Sequence, residues 1–413
     1  MRLSQSLIKA GILGAGACIG PIAQLLATPF LTRIYTPADF GYLALFTSIV
    51  SVLIVVSCLR YEGAIQVVSE NDLGKIISLA LLSALGVLVV ERFLLSTGIP
   101  QIKFESLHNL GSDVKFLPFV SAAGAALLII TNFTLRQGRY VKNAFLRSGT
   151  TIIFIAIALG CPAFGLIYAN IAASILMGII ALIYLLLNTK FGPINKVLAL
   201  GKKYIEYPLF LTPTSLLDTV TLALPILFMS GSYGMEAVGQ FTQIQKLLGA
   251  PIILLGIVTA QLFSKRSGEL FRSGLSSKKL LWKTVGLLAL ASLFTLLIAS
   301  LFGETLSQFI LGEEWRKAST FFIILAIAPC LVRSVVSPVS FIFLAYQKIK
   351  YLVLWQVLYF IVSYSALYYA ASTTMNLERF IISYIITESF MYMLYLSMAN
   401  YVSKIQNTSP PMQ

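Results

Sequence analysis

The chain has 413 residues, 58% of them hydrophobic and only 11% charged, whereas soluble domains carry roughly 25% charged residues and under about half apolar ones. That balance excludes a soluble globular protein. The net charge of +14 sits on short loops between apolar runs, so it is read as a topology signal, and no nucleic-acid partner is expected.

Apolar runs of about 18 residues or more recur along the whole length, each long enough at about 1.5 Å per residue to cross a hydrocarbon core of about 30 Å. They are apolar on all sides, whereas a β-barrel strand would alternate. The fold class expected is therefore an all-α integral membrane protein with about twelve transmembrane helices. The spans fall at about residues 10–31, 41–64, 74–96, 116–136, 146–162, 164–187, 208–231, 237–262, 281–302, 318–345, 351–371 and 379–402.

The first run follows Arg2 and Lys9 and continues to Leu31 without a cleavage pattern, so it is read as a retained span. Between spans one and two stands TRIYTPADFG, residues 32–41. Thr36-Pro37 starts a turn, Asp39 is expected as the N-cap of span two, and Gly41 allows close packing. Arg33 either belongs to that capped hairpin or faces an outer vestibule. Span two ends in LRYEGAI, where Arg60 and Glu62 form a local pair or Arg60 is a cation at the inner mouth of a cleft. Glu91, Arg92 and Arg136, at span ends, are read as topology markers.

Charges farther along lie deeper, where insertion costs about 2.5–3.5 kcal/mol and ionisable groups face a cavity or one another. Asp218 in span seven and Lys246 in span eight sit at similar depths. They are candidates for a structural pair, or for a coupling-ion acid and a substrate cation. Arg333 stands in span ten between Pro329 and Pro338, in a stretch whose prolines loosen the helix and favour a cavity lining. Glu388 in span twelve has no cationic neighbour in sequence; with Ser383 and Thr387 close by it is a candidate site for a coupling proton or sodium ion, against a hydrogen-bonded structural carboxyl. Tyr359, Tyr364, Tyr368 and Tyr369 in span eleven suit a core or interface, or a sugar-binding face.

Cys18, Cys58, Cys161 and Cys330 all fall in apolar runs and suggest neither disulfides nor a metal site. His108 is the only histidine, and no phosphate-cradling GxxxxGK[ST] loop occurs, so no cofactor, metal centre or enzymatic activity is expected.

Lysines and arginines favour the side that holds both termini nearly threefold, which by the positive-inside rule makes the termini cytoplasmic. The longest loops on that side, residues 188–207 and 264–280, are basic and partly amphipathic and are expected to lie along the inner leaflet.

The stretch ATPFLTRIYTPADFGYLALF from Ala27 has a weak echo in ALPILFMSGSYGMEAVGQFT from Ala223, in which an acid leads to a glycine at the start of the next span, Asp39 to Gly41 and, one residue looser, Glu236 to Gly239; RQGRYVKNAF from Arg136 resembles YQKIKYLVLW from Tyr346. The offset is about six spans, an even number, so the halves are parallel repeats. This gives an N-terminal lobe at residues 1–190, a basic linker at 191–207, a C-terminal lobe at 208–402 and a disordered tail at 403–413. A cleft lies between the lobes, and the turns at Thr36-Pro37 and residues 231–236 act as hinges, with Pro37, Asp39 and Gly41 in the first.

The run LLATPFLTRIYTPADFGYLALFTSIVSVLIVVSCLRYEGAIQVVSEND closely resembles the opening of bacterial polysaccharide biosynthesis proteins of the oligosaccharide flippase (Wzx) type, and ILGEEWRKASTFFIILA resembles their segment before span ten. The resemblance implies the multidrug/oligosaccharidyl-lipid/polysaccharide exporter superfamily, two six-helix lobes and alternating access in the bacterial inner membrane. The implied cargo is an undecaprenyl-pyrophosphate-linked oligosaccharide, flipped to the periplasmic leaflet for O-antigen, lipopolysaccharide or capsule assembly. Membrane lipids and other polysaccharide-assembly proteins are the implied partners. Arg60, Arg333, Lys246 and Arg33 would offer cations to the pyrophosphate. Asp218 resembles the span-seven acid that helps form a sodium site in related flippases.

An ion-coupled small-molecule or drug antiporter would share this fold, with acids rather than arginines dominating the cleft. A membrane enzyme would need a large outward loop or acid/base clusters, which are missing here, and a scaffold leaves mid-membrane charges unexplained.

Overall fold

Backbone N–H and C=O groups in hydrocarbon find partners only within helices or closed barrels, and this chain takes the helical solution. The structure is a computed structural model that describes residues 2–98, 105–315, 319–346, 348–373 and 375–404, the side chains of 2–15, 17, 105, 272 and 314 excepted. The tail from 405, Lys103, Arg316 and Lys317 lie outside the described residues.

The twelve main helices are α1 (Arg2–Leu31), α2 (Pro37–Ser57), α3 (Leu73–Ser96), α4 (Leu117–Arg136), α5 (Tyr140–Gly160) and α6 (Leu166–Asn188). Then come α7 (Thr212–Ser232), α8 (Gly234–Arg272), α9 (Lys278–Leu311), α10 (Thr320–Val336), α11 (Ile349–Ser372) and α12 (Leu377–Ser403). Among the described residues, eleven helices are long and apolar enough to cross a membrane. The expected all-helical membrane fold is what the structure has; among the described residues there is no strand.

Two compact units divide the chain, residues 1–239 and 240–413. In the first, α1 runs along α5, and α4 packs against α2, α3, α5 and α6. Small residues let these helices approach: a Cβ at Gly178 would stand 2.4 Å from that of Ala123, and one at Gly16 the same from Ala144. Residues 208–239 group with this unit because α7 packs along α2.

The second unit packs α9 on α10 and both α10 and α11 on α12. Its core is aromatic, with Phe343, Trp355, Tyr359, Tyr392 and Tyr395 all buried.

The two loops expected along the membrane surface differ. Residues 194–203 form an amphipathic helix, with Val197 and Leu200 buried while Ile194 and Leu198 are exposed. Residues 264–280 are largely helical, with only 273–277 outside a helix. Helix α8 continues to Arg272 and α9 starts at Lys278. The polar run SKRSGELFR ends the hydropathic span without ending the helix, because charged residues such as these are good helix formers and Arg266 pairs with Glu269 one turn on, at 3.3 Å.

Candidate functional site

The turn at residues 32–41 is a capping box. Thr36 caps α2: its Oγ1 accepts from the Asp39 N–H at 3.3 Å, while Asp39 Oδ2 accepts from the Thr36 N–H at 2.9 Å. Asp39 is therefore the third residue of the helix and not its N-cap, and Pro37 fills the first helical position, where a missing N–H costs nothing. The Tyr35 hydroxyl donates to the Ala158 carbonyl at 2.9 Å, fixing the turn to the end of α5. Arg33 is exposed and donates to the Pro29 carbonyl within its own helix end.

Gly41 and Gly239, the paired glycines of the internal echo, meet in space. A Cβ on Gly41 would lie 1.9 Å from the Met235 carbonyl oxygen, and one on Gly239 would lie 1.7 Å from that of Pro37. Each copy of the motif thus seats its glycine on the backbone of the other copy's first helical turn.

At the far end of α2 the LRYE segment is strained. Leu59 and Arg60 are consecutive non-glycine residues at φ +47° and +59°, a conformation costing roughly 1–2 kcal/mol per residue. Neighbours hold it: Tyr61 donates its hydroxyl to the Gly201 carbonyl at 3.3 Å, and Arg136 reaches the Ile65 carbonyl at 2.5 Å and Glu70 at 2.6 Å. Arg136 is thus a structural clasp as well as a topology marker. Arg60 Nη1 pairs with Glu62 Oε1 at 3.3 Å. Glu62 is buried, and its other oxygen has no hydrogen-bond partner among the described residues. Burial pushes the Glu62 carboxyl above its ordinary range, against the downward pull of a backbone hydrogen bond and of Arg60.

Glu91 is not at an exposed span end: it is buried on α3, with Oε2 accepting from the Ser121 hydroxyl at 2.7 Å.

One polar cluster joins two residues that the sequence leaves far apart. Arg333 on α10 stands 3.5 Å from Glu388 on α12, so Glu388 does have a cationic partner. Arg333 Nη2 also donates to the hydroxyls of Tyr359 on α11 and Tyr384 on α12, both at 3.4 Å, and the Tyr359 hydroxyl donates to Glu388 Oε1. Glu388 is fully buried while Arg333 keeps 31% of its side chain exposed, so the cluster opens on the arginine side. Arg333 Nε and Glu388 Oε2 have no hydrogen bond among the described residues. Trp355 stacks on Tyr359 at 4.7 Å and 19° and donates its indole N–H to the Met391 carbonyl, forming the apolar floor. The Thr387 hydroxyl is spent on the Ser383 carbonyl and adds no ligand to the carboxyl. Of the tyrosines, Tyr359 is in the core while Tyr364, Tyr368 and Tyr369 are exposed.

Sequence reasoning missed Tyr384 as a member of this site. The signal was the four-residue spacing of Tyr384, Glu388 and Tyr392, which sets them on one helical face.

Asp218 is exposed on α7 in the first unit, and Lys246 is exposed on α8 in the second. Lys246 makes no ion pair or hydrogen bond among the described residues.

This arrangement belongs to a multi-pass integral membrane protein, and comparison with solved structures gives its fold. The chain is similar to an inward-facing multidrug resistance MATE family transporter of the MOP superfamily, with a TM-score of 0.65 at 12% identity, over 95% of this chain and 99% of that one. It is similar to a mutant of the Vibrio cholerae MATE transporter VcmN, with a TM-score of 0.57 at 12% identity over 96% of each chain. An outward-facing MATE transporter matches with a TM-score of 0.52 at 14% identity over 96% of each chain. No protein-family model matches, and no curated protein does. The chain has the fold of these transporters.

Proposed function

We propose that the chain is an ion-coupled secondary transporter that moves an anionic lipid-linked oligosaccharide from the cytoplasmic to the periplasmic leaflet of the bacterial inner membrane. Alternating access would run between lobes at residues 1–190 and 208–402, linked by 191–207. The observation that carries this reading is Lys246, which lies well inside α8, uncovered and without an ion pair among the described residues. An unpaired ammonium at such a position costs several kcal/mol against lipid, so it suits a wet surface that receives an anion. A pyrophosphate headgroup has that chemistry, and the sequence motif TRIYTPADFG points to the same cargo.

Arg333 and Glu388 supply a way to release it. With Glu388 ionised, the guanidinium is satisfied by its carboxylate; a proton on Glu388 removes that counter-charge and leaves Arg333 to engage phosphate oxygens. Proton loss reverses the exchange. Arg60, which holds Glu62 in the same way, offers a second such pair, Arg33 a further cation, and Asp218 a second candidate for the coupling ion.

A second reading is an ion-coupled small-molecule antiporter. The solved structures favour it, because those of the same fold are described as multidrug resistance transporters, and a buried acid such as Glu388 suits exchange of a cation for a proton.

The test uses cells lacking the protein and supplied with wild type, Lys246→Ala or Arg333→Ala at matched membrane abundance. Undecaprenyl-linked glycan is assayed on each leaflet, and efflux of a cationic dye is measured in parallel. Cytoplasmic-face accumulation relieved by wild type and not by the variants supports the flippase. Unchanged glycan with wild-type-dependent dye efflux selects the antiporter.

A further inference from the structure

The polar continuations of α8 and α9 enclose a groove of about 410 Å³. Its polar wall is Lys265, Arg266 and Lys283, with Glu269 as the single acid; Leu262 and Leu287 form the apolar wall. Arg266 is neutralised by Glu269 at 3.3 Å, while Lys265 and Lys283 make no ion pair among the described residues. Two positive charges are therefore unmatched. Both leucines are largely exposed, and their apolar surface continues along the two helices through Val258, Leu290 and Phe294. Trp282, beside Lys283, is exposed and donates its indole N–H to the Asn400 side chain at 3.1 Å. A half-exposed tryptophan anchored by a polar contact marks headgroup depth.

From this juxtaposition we infer that the groove binds an anionic glycerophospholipid of the surrounding membrane, its phosphate against Lys265 and Lys283 and its acyl chains along the Leu262 and Leu287 ridge. The volume suits a headgroup, the two unmatched lysines suit one phosphate with a net negative headgroup, and the apolar wall suits the chains that a free anion lacks. Basic pockets between spans are recurrent sites for anionic lipid heads. The site is separate from the Arg333 cluster and independent of the cargo reading.

The test reconstitutes the full chain in vesicles of phosphatidylcholine with increasing phosphatidylglycerol, one or the other brominated near the headgroup, and follows quenching of tryptophan fluorescence. Wild type is expected to be quenched preferentially by brominated phosphatidylglycerol. The double variant Lys265→Ala/Lys283→Ala is expected to lose about thirtyfold of that preference, from about 1 kcal/mol for each lysine near an anionic surface. Lys265→Arg/Lys283→Arg should keep it. Lys278→Ala/Lys279→Ala removes the same charge outside the groove and should lose much less. Absence of a preference in wild type overturns the inference. So does an equal loss in the 278/279 variant, which signals diffuse surface charge. Binding of inorganic phosphate with the same lysine dependence overturns the lipid as occupant in favour of a free anion.

Discussion

Replacing Gly41 or Gly239 by alanine tests the backbone-to-backbone seat between the two echo motifs. Real Cβ atoms essentially never come within 3.0 Å of another heavy atom, yet a Cβ on Gly41 would stand 1.9 Å from the Met235 carbonyl oxygen. Opening 1.9 to 3.0 Å requires a shift of about 1.1 Å, and opening 1.7 to 3.0 Å at Gly239 requires about 1.3 Å. Both obstacles are main-chain atoms early in a helix, which cannot rotate aside as a side chain does. A gap of 0.5–1 Å already forfeits roughly a quarter to a half of each dispersion contact, and overpacking costs about 1–3 kcal/mol. We expect the upper end for each variant. The assay is thermal unfolding of the detergent-purified chain, with Gly86→Ala and Gly286→Ala as controls, since a Cβ at either meets nothing within 4 Å. The controls should be neutral or stabilised by about 0.5–1 kcal/mol, as alanine is favoured over glycine inside helices. If Gly41→Ala and Gly239→Ala melt with the controls, the seat does not constrain the fold and the reasoning fails.

Glu388→Ala strands the Arg333 guanidinium among buried tyrosines and should destabilise by about 3–5 kcal/mol, whereas Arg333→Gln/Glu388→Gln removes both charges and should melt closer to wild type; a double variant as unstable as the single one refutes the pairing. Burial leaves the Glu62 carboxyl above its ordinary range, so the folded state takes up its proton more readily than the unfolded chain. That contribution is present in full below the unfolded value and is lost as pH rises through the raised folded value. Glu62→Gln should thus gain most, relative to wild type, above that range; melting curves at pH 4 and pH 8 decide, and an equal gain at both contradicts the assignment. Cys161 is the exposed cysteine, Cys58 is buried, and Cys18 and Cys330 are half-buried. If the termini are cytoplasmic, Cys161 faces outward, and a membrane-impermeant maleimide should label intact spheroplasts and lose that labelling in Cys161→Ser; labelling only after lysis reverses the orientation.

Span number and type were legible because hydrocarbon thickness fixes how long an apolar run must be. Helix ends were less so. At α8 the hydropathic signal stopped near residue 262 while the helix runs to Arg272, since hydropathy reports lipid contact and not backbone hydrogen bonding. The Thr36-Asp39 box is visible in the sequence as a turn, but which of the two is the cap is not, because a cap is defined by which residue leaves helical geometry first. The echo of Gly41 and Gly239 was readable as a pattern, whereas their mutual contact was not, since similarity carries no distance. Arg333 and Glu388 were each marked by the cost of burying charge, yet 55 positions separate them in the chain and only the packing of α10 and α11 against α12 makes them partners.

The left-handed pair at Leu59 and Arg60 bears on how the LRYE signature can be used. Its four residues do not prefer the shape they adopt; Gly201 and Arg136 receive or clasp the segment from elsewhere in the chain. Transplanting those letters into another membrane protein would therefore carry the spelling without the geometry, and an excised peptide would relax into an ordinary helix end. The portable unit is the motif together with its distant supports, so a chimera should exchange residues 58–72 with Arg136 and the helix at 194–203 as one block.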